Sequence, residues 1–511
     1  MELDTDVVII GAGMSGLGFA VQLVREYGHR NFEIYEKSSH IGGTCEQVRH
    51  QKHARFRSIV TSANWDEESG TWLVSVKDLE TSETYDRRCK ILVSAVGALS
   101  KPKGCDIPGA SSFHGPMFHT AEWDHSFDWK GKELVVIGNG CSATQVVPAV
   151  SEGDKAVKKV VQFARQAQWI FERPNPEYTS LFKWTMRWVP FAMRGYRALQ
   201  NFYTEFDFQS FPIESGAPLR KMYADYQGAY IRRTAPKKYL DFLVPKTEIG
   251  CKRRVMDTYY LDCLHRDNVE LVYEDPIEEI VEDGVRTKSG RVVDADAIVL
   301  ANGFEALDAL STLNIHGEGG LSIADHWDTF SEGAPSSYFG TCLSGFPNFF
   351  ILMGPNTASG HGSVAYTSEC QISFTLRLIK PILKALKAER SRLPVIGRKT
   401  DIVTVRPEAE QADIDTTQDK LKTLIWSSGC TSWALDPRTG RNLTMYPDFQ
   451  TKYWLRSIFI PWDDFEFSTS KPIATALGLK SLGVGSWLTL STGIAVVAYL
   501  MRQRSPFGTL R

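Results

Sequence analysis

The first forty residues constrain this chain more than any other stretch. Asp6 to Ile10, DVVII, is a run of β-forming residues bounded by glycine. That is the pattern of a strand buried on both faces of a parallel sheet. GAGMSG follows at once and sets Gly11, Gly13 and Gly16 at GxGxxG spacing. LGFAVQLVREYG then has helical character, and a second strand, Phe32 to Tyr35, ends at Glu36. Strand, glycine turn, helix, strand and acid in this order form a dinucleotide-binding fingerprint. Gly11 permits the tight turn, Gly13 lets the backbone approach a pyrophosphate at the helix N-terminus, and Gly16 lets helix and strand pack closely. Glu36 is placed to accept hydrogen bonds from the adenosine ribose hydroxyls.

A second unit of this kind begins at Gly131, in GKELVVIGNGCSATQ. Leu134 to Ile137 form its strand, and Gly138, Gly140 and Ala143 give the accepted GxGxxA variant. Asn139, Ser142, Thr144 and Gln145 belong to the same turn and helix start and are cofactor-site candidates. The next strand, Val160 to Phe163, runs into Ala164, Arg165 and Gln166, with no acid where Glu36 stood in the first unit. A carboxylate there would repel a 2′-phosphate, and a guanidinium can bind one, so the second site reads as NADPH rather than NADH. Two such sites in one chain imply hydride transfer from NADPH to a flavin.

The bulk properties narrow the class. A chain of 511 residues can bury two or three domains, and 43% apolar with 23% charged residues is a globular composition. The formal net charge of -2 and the lack of a basic stripe exclude nucleic acid as an expected partner. Nine cysteines without a CxxC pair fit free thiols in a reducing compartment, and the eleven histidines show no metal-ligand spacing, so no metal is expected. The N-terminus enters a strand at once and does not read as a signal peptide. Leu482 to Met501 carries no charge and is flanked by Lys480, Arg502 and Arg504. Its length suits one membrane-crossing helix and predicts a C-terminal anchor on the cytoplasmic face of a membrane, the rest of the chain being cytoplasmic. The alternative is a buried helix, since Gly, Ser and Thr dilute its hydrophobicity.

Between the two fingerprints, Phe113, Gly115, His119, Trp123 and Asp124 match FxGxxxHxxxW(P/D). This segment resembles the signature of Baeyer–Villiger monooxygenases, which are class B flavoproteins. In that family it links the FAD and NADP domains, and its histidine helps couple their movement. Ser94 to Ser100 and Ile298 to Phe304 resemble the family's SATGxLS and ATGF turns, with Val96 and Asn302 where threonine is usual. Ile41-Gly42-Gly43-Thr44 after the first fingerprint favours FAD there and makes Gly43 and Thr44 candidates. Gly354-Pro355-Asn356 resembles the stretch that returns the chain to the flavin, which adds Asn356. Lys252-Arg253 in GCKRR matches a family pair whose lysine reaches the 2′-phosphate and whose arginine sits over the flavin. By charge alone, this cluster would read as solvated surface.

The resemblance covers residues 4 to 465 and implies an α/β fold with two Rossmann-like domains, the FAD domain interrupted by the NADP domain. The expected division is 1–125 for the first FAD part and 126–296 for the NADP part with a helical insertion about 175–245. The second FAD part with a C-terminal block follows over 297–465, and 470–511 is a tail with the candidate helix 482–501. The implied reaction consumes NADPH and dioxygen and turns a ketone into an ester or lactone. Arg253 is its catalytic candidate, a fixed guanidinium that stabilises developing negative charge without donating a usable proton. The aromatic stretch Leu181 to Phe211 predicts an inserted helical pair, first for core packing and second for a bulky substrate pocket or membrane contact. With the tail, it makes a lipophilic ketone of secondary metabolism the expected substrate.

One departure cuts across this. After Gly43-Thr44 stands Cys45 where the family has tryptophan, and Gln51 to Phe56 already resembles a later strand entry. The family's intervening block, NxYPGxxxD, holds the aspartate that orients the arginine, and several dozen residues of it are absent. The alternatives to a coupled monooxygenase are therefore an uncoupled NADPH oxidase or an inactive, mis-spliced chain.

Overall fold

Each fingerprint lies in its own five-stranded parallel sheet. In the computed structural model the described residues are 3–42, 53–173, 177–305, 310, 313–391, 400–429 and 434–469. The first sheet runs in the order Phe349–Ile351, Ile91–Ser94, Val7–Ile10, Phe32–Tyr35, Ala54–Arg55. Val7–Ile10 is central and buried at all four positions, because helices and a second sheet cover its two faces. Helix Met14–Tyr27 packs on helix Val364–Ser391 closely enough that a Cβ on Gly18 would lie 3.0 Å from Ile372 Cδ1. The edge strand Phe349–Ile351 arrives after the whole second unit, so the first domain is interrupted by the second.

The second sheet has the order Val269–Val272, Lys159–Phe163, Glu133–Ile137, Ala297–Leu300, Met117–His119, again all parallel. It crosses the expected boundaries at 125 and 297, drawing one strand from each flank. The reason is pairing: Val299 lies opposite both Val136 and Phe118, and these strands are buried. The strand with His119 therefore belongs to the second sheet and runs beside its last strand.

An antiparallel meander, Ser58–Asp66, Thr71–Asp78 and Thr84–Cys89, is inserted into the first domain, with Asn314–His316 joining its edge. The insertion in the second domain contains helices Ser180–Trp188, Ala192–Phe206 and Ala217–Thr234. Its base is pinned by a two-stranded parallel pair, Ile170–Phe171 with Val255–Met256. Among the described residues no helix is long and apolar enough to cross a membrane. Residues 482–501, and Gly43 and Thr44 with the rest of the 43–52 seam, lie outside the described residues.

Candidate active site

The two glycine turns are built alike. Gly11 has φ +101° and Gly138 φ +121°, a region open to glycine and costly for other residues. A Cβ on Gly11 would lie 2.6 Å from the Ala95 carbonyl oxygen; on Gly138 it would lie 2.3 Å from that of Ala301. The turns Ser94 to Ser100 and Ile298 to Phe304 thus each press a carbonyl against the first glycine of a fingerprint. Gly16 is equally constrained, since its Cβ would meet the Gly11 carbonyl oxygen at 2.1 Å. Gly13 is the N-cap of helix Met14–Tyr27 and bridges to Gly42, so the IGG turn lies beside the fingerprint. Glu36 is buried, and its two oxygens accept the backbone N–H groups of Ala12 (2.8 Å) and Ser38 (2.9 Å), which aligns the acid with the turn.

Gly140 behaves differently: nothing lies within 4 Å of where its Cβ would stand. The protein's own packing does not demand glycine there. Open space beside the start of helix Ala143–Val150 leaves room for a phosphate there. Ser142 is that helix's N-cap and makes no side-chain cap; the Thr144 and Gln145 N–H groups donate instead to the carbonyls of Gly140 (3.1 Å) and Ser142 (3.1 Å). Thr144 is buried with its hydroxyl on the Cys141 carbonyl (3.2 Å), and Gln145 Nε2 donates to the same carbonyl (2.7 Å). These two side chains brace the turn, leaving its backbone to face a cofactor.

Arg165, Gln166, Asn139 and Lys252 converge at the end of strand Lys159–Phe163. Asn139 Nδ2 donates to the Gln166 carbonyl (2.7 Å), and Lys252 Nζ donates to Gln166 Oε1. Partial burial, and then the neighbouring Arg165 charge, lowers the Lys252 pKa. Neither cation has a carboxylate partner among the described residues. Two like charges held together without an anion fit a phosphate.

The three basic residues that look equivalent in GCKRR are not. Arg254 pairs with Asp207 (2.7 Å) and lies over the rings of Phe171 (5.0 Å) and Tyr223 (5.5 Å), so it fastens the helical insertion. Arg253, between Lys252 and this anchor, is exposed and makes no hydrogen bond or ion pair among the described residues. Cys251, just before them, is disulfide-bonded, which corrects the free-thiol reading at that position. An odd, scattered count gives no spatial pairing. Cys89, Cys105, Cys141, Cys263, Cys342 and Cys370 are free.

A cavity of about 660 Å³ runs from Gly11 and Glu36 past Val96 to Met117, His119 and Leu300, and so touches both sheets. His119 is buried at the end of its strand, edge-on to Phe304 at 5.1 Å. Its Nδ1 accepts the Ala121 N–H (3.1 Å), which assigns the ring proton to Nε2. That nitrogen is buried without a hydrogen-bond partner. Burial lowers the His119 pKa, against the opposing effect of the Gly303 carbonyl. A neutral ring on a cavity, with the Gly303 carbonyl acting on it, fits a bound group with acceptor atoms. The other signature residues hold this strand in place. Trp123 sits edge-on to Phe118 (5.0 Å) and Trp129 (5.7 Å), and a Cβ on Gly115 would meet the Asp296 carbonyl oxygen at 2.6 Å and the Phe113 ring at 2.8 Å. Asp124 is half-buried and caps a local turn through Ser126, whose hydrogen bonds lower its pKa.

Asn356, expected at the cofactor, spends its side-chain amide on the carbonyls of Asn442 (2.7 Å) and Met445 (3.2 Å). Of the two family departures, Val96 lines the cavity, and Asn302 donates to the Gly104 carbonyl at 2.8 Å. Sequence reasoning missed Gln162. It is fully buried, its Nε2 donates to the Gly138 carbonyl (2.9 Å), and its Oε1 accepts from Tyr260 (2.8 Å), so it supports the second turn from below. The available signal was a glutamine in the otherwise apolar run Val160 to Phe163.

These features agree with known proteins. A model described as an NAD(P)-binding Rossmann-like domain matches residues 9–65, and one described as flavin-binding monooxygenase-like matches residues 48–189. The FAD-binding monooxygenase ktnD of Aspergillus niger is 29% identical over 552 aligned residues, covering 96% of this chain and 88% of that protein. That alignment is longer than this chain, so the relative carries residues that this chain lacks. A Baeyer–Villiger monooxygenase of Pseudomonas aeruginosa is 29% identical, covering 88% of each. Cyclohexanone monooxygenase from Rhodococcus sp. Phi1 bound to NADP+ shares the fold at TM-score 0.75 and 23% identity, covering 91% of this chain and 99% of that one. OTEMO in complex with FAD and NADP matches at TM-score 0.75 and 22% identity, covering 92% and 100%. With the two fingerprints, the segment between them and the divided basic cluster in place, this chain resembles the class B flavoprotein monooxygenases of the Baeyer–Villiger type over most of its length.

Proposed function

We propose that this chain is an FAD-dependent, NADPH-consuming monooxygenase that inserts one oxygen atom of dioxygen beside a ketone carbonyl, giving an ester or lactone. The observation that carries it is the division of labour at residues 252 to 254. Lys252 stands with Arg165 and Gln166 where a 2′-phosphate is read, and Arg254 is fastened to Asp207. Arg253 is exposed and makes no ion pair among the described residues, which supports assigning it to the reacting atoms. When bound, the cofactor pair supplies the electrons that activate dioxygen. The protein orients the two cofactors through their glycine turns, excludes water from the cavity between the sheets, and offers Arg253 to the negative charge that develops at the carbonyl oxygen. The Arg253→Ala variant is expected to retain FAD and oxidise NADPH but form no ester. Ester formation at the wild-type rate would sink the assignment.

A second reading, an uncoupled NADPH oxidase, is favoured by the lack of a carboxylate on Arg253 among the described residues. It predicts hydrogen peroxide equal to the NADPH consumed by the wild-type chain, with or without ketone. The anchor is a separate part of the proposal. Residues 482–501 are uncharged and flanked by Lys480 and Arg502, which supports a helix crossing a membrane with the catalytic part on the cytoplasmic face. Removing residues 480–511 should move the protein from the membrane to the soluble fraction. An unchanged distribution refutes the anchor.

A further inference from the structure

Helices Ser180–Trp188 and Ala192–Phe206 form a hairpin with its apolar stripe turned outward. Leu199, Phe202, Tyr203 and Phe206 recur at i, i+3, i+4 and i+7, the spacing that ordinarily faces a core. Here all four are exposed, Phe202 by 66%. The residue this helix buries is instead Glu205, whose carboxylate accepts the N–H groups of Gln450 (2.9 Å) and Thr451 (3.1 Å) and meets His361 Nε2 at 3.2 Å. The shorter helix buries no residue, and its Leu181, Trp184 and Trp188 repeat the outward stripe, Leu181 at 73% and Trp188 at 63% exposure. Between them Phe191 is 74% exposed at φ +63°, a costly conformation for a bulky residue that burial does not offset. The hairpin is braced from within: Tyr178 stacks on Phe182 at 4.6 Å, Phe182 meets Tyr196 edge-on at 5.3 Å, and the two tyrosine hydroxyls lie 3.0 Å apart. Among the described residues its outer side chains therefore have no packing duty, and an apolar face this continuous marks an interaction surface.

Charge identifies the partner. Residues 178–204 contain Lys183, Arg187, Arg194 and Arg197 and no acid. Lys183, Arg187 and Arg197 make no ion pair among the described residues. Exposed Trp, Tyr, Phe and Leu interleaved with basic side chains suit the headgroup and acyl boundary of an anionic bilayer. A second copy would set like charge against like. We propose that this hairpin docks on an anionic lipid surface, placing Trp184, Trp188, Phe191 and Phe202 at the acyl boundary while the basic residues meet lipid phosphates. The inference stands apart from both the reaction and the tail.

The test uses the full chain and phosphatidylcholine vesicles with or without phosphatidylserine, their acyl chains brominated to quench tryptophan. Trp487 of the tail can also be quenched, so the hairpin's share is the difference between the wild type and the Trp184→Phe/Trp188→Phe variant. That share should be clear on phosphatidylserine vesicles. In the Lys183→Gln/Arg187→Gln/Arg197→Gln variant, half-maximal quenching should need at least about tenfold more anionic lipid, at roughly 1 kcal/mol per basic residue. FAD content equal to wild type controls for folding. Equal quenching in the wild type and the tryptophan variant would overturn the proposal. So would hairpin quenching that ignores lipid charge, or a dimer that the same substitutions dissolve without any lipid effect.

Discussion

The two dinucleotide halves share a skeleton and differ at three points, and the differences separate what the fold needs from what the ligand needs. Both first glycines are forced by φ above +100° and by a carbonyl from a neighbouring strand end. At the third position, Gly16 has no room for a methyl group, while the second half carries Ala143. At the second strand's end the first half has the buried acid Glu36, and the other has Arg165 backed by Lys252. Beneath the turn the first half has apolar Ile34, whereas the second has Gln162 bonded to the Gly138 carbonyl. The common features make a turn; the unshared ones choose what sits on it.

The largest expected effect comes from breaking the shared feature in one half only. Gly11→Ala sets a Cβ 2.6 Å from the Ala95 carbonyl oxygen in a strained conformation that alone costs about 1–3 kcal/mol. Purified protein should be colourless. Gly140→Ala meets no protein atom, so that variant should stay yellow, with the same flavin content as wild type, and fail mainly in NADPH affinity. If both variants lose flavin equally, the distinction between fold-required and ligand-required glycines is wrong.

Next in size is the choice of coenzyme. Hydrogen bonds to a charged group contribute about 1.5–3 kcal/mol each. Arg165→Ala and Lys252→Ala should therefore each raise the KM for NADPH by about ten- to a hundredfold and leave the weaker NADH reaction nearly unchanged. Lys252 adds a pH signature. Its pKa is lowered by burial and by Arg165, and its charge is present only below that pKa. The kcat/KM for NADPH should fall with rising pH before an ordinary lysine would titrate. Arg165→Ala removes one lowering cause and should move that fall to higher pH. A profile identical in wild type and variant would mean that the two cations do not act together.

How much of this was legible follows the same division. Both glycine turns and their strands could be read from residues 6–36 and 131–163, because a local backbone motif dictates them, whereas the interruption of the first domain came only with the family resemblance. The separate fates of Lys252, Arg253 and Arg254 could not, since Asp207 lies in a distant helical insertion and only folding brings it to Arg254. The partners of the Asn356 amide were hidden for a similar reason: its carbonyl acceptors come from residues 442 and 445. The expected role of the aromatic helices in core packing was displaced at their outer stripe, where spacing reports a face without saying which way it points.

The smallest predicted effect is also the sharpest probe of the difference. Gln162→Ile gives the second half the residue type of Ile34. The change removes the bond to the Gly138 carbonyl and leaves the Tyr260 hydroxyl without its acceptor in a buried site. An unsatisfied buried polar group costs about 1–3 kcal/mol, so the variant should melt a few degrees lower. Flavin content should not change, because both side-chain hydrogen bonds of Gln162, to Gly138 and from Tyr260, lie in the second half. The KM for NADPH should rise only a fewfold, since the glycine φ and the Ala301 carbonyl still shape the loop. A KM effect as large as that of Arg165→Ala would mean that Gln162, and not the glycine, sets the turn.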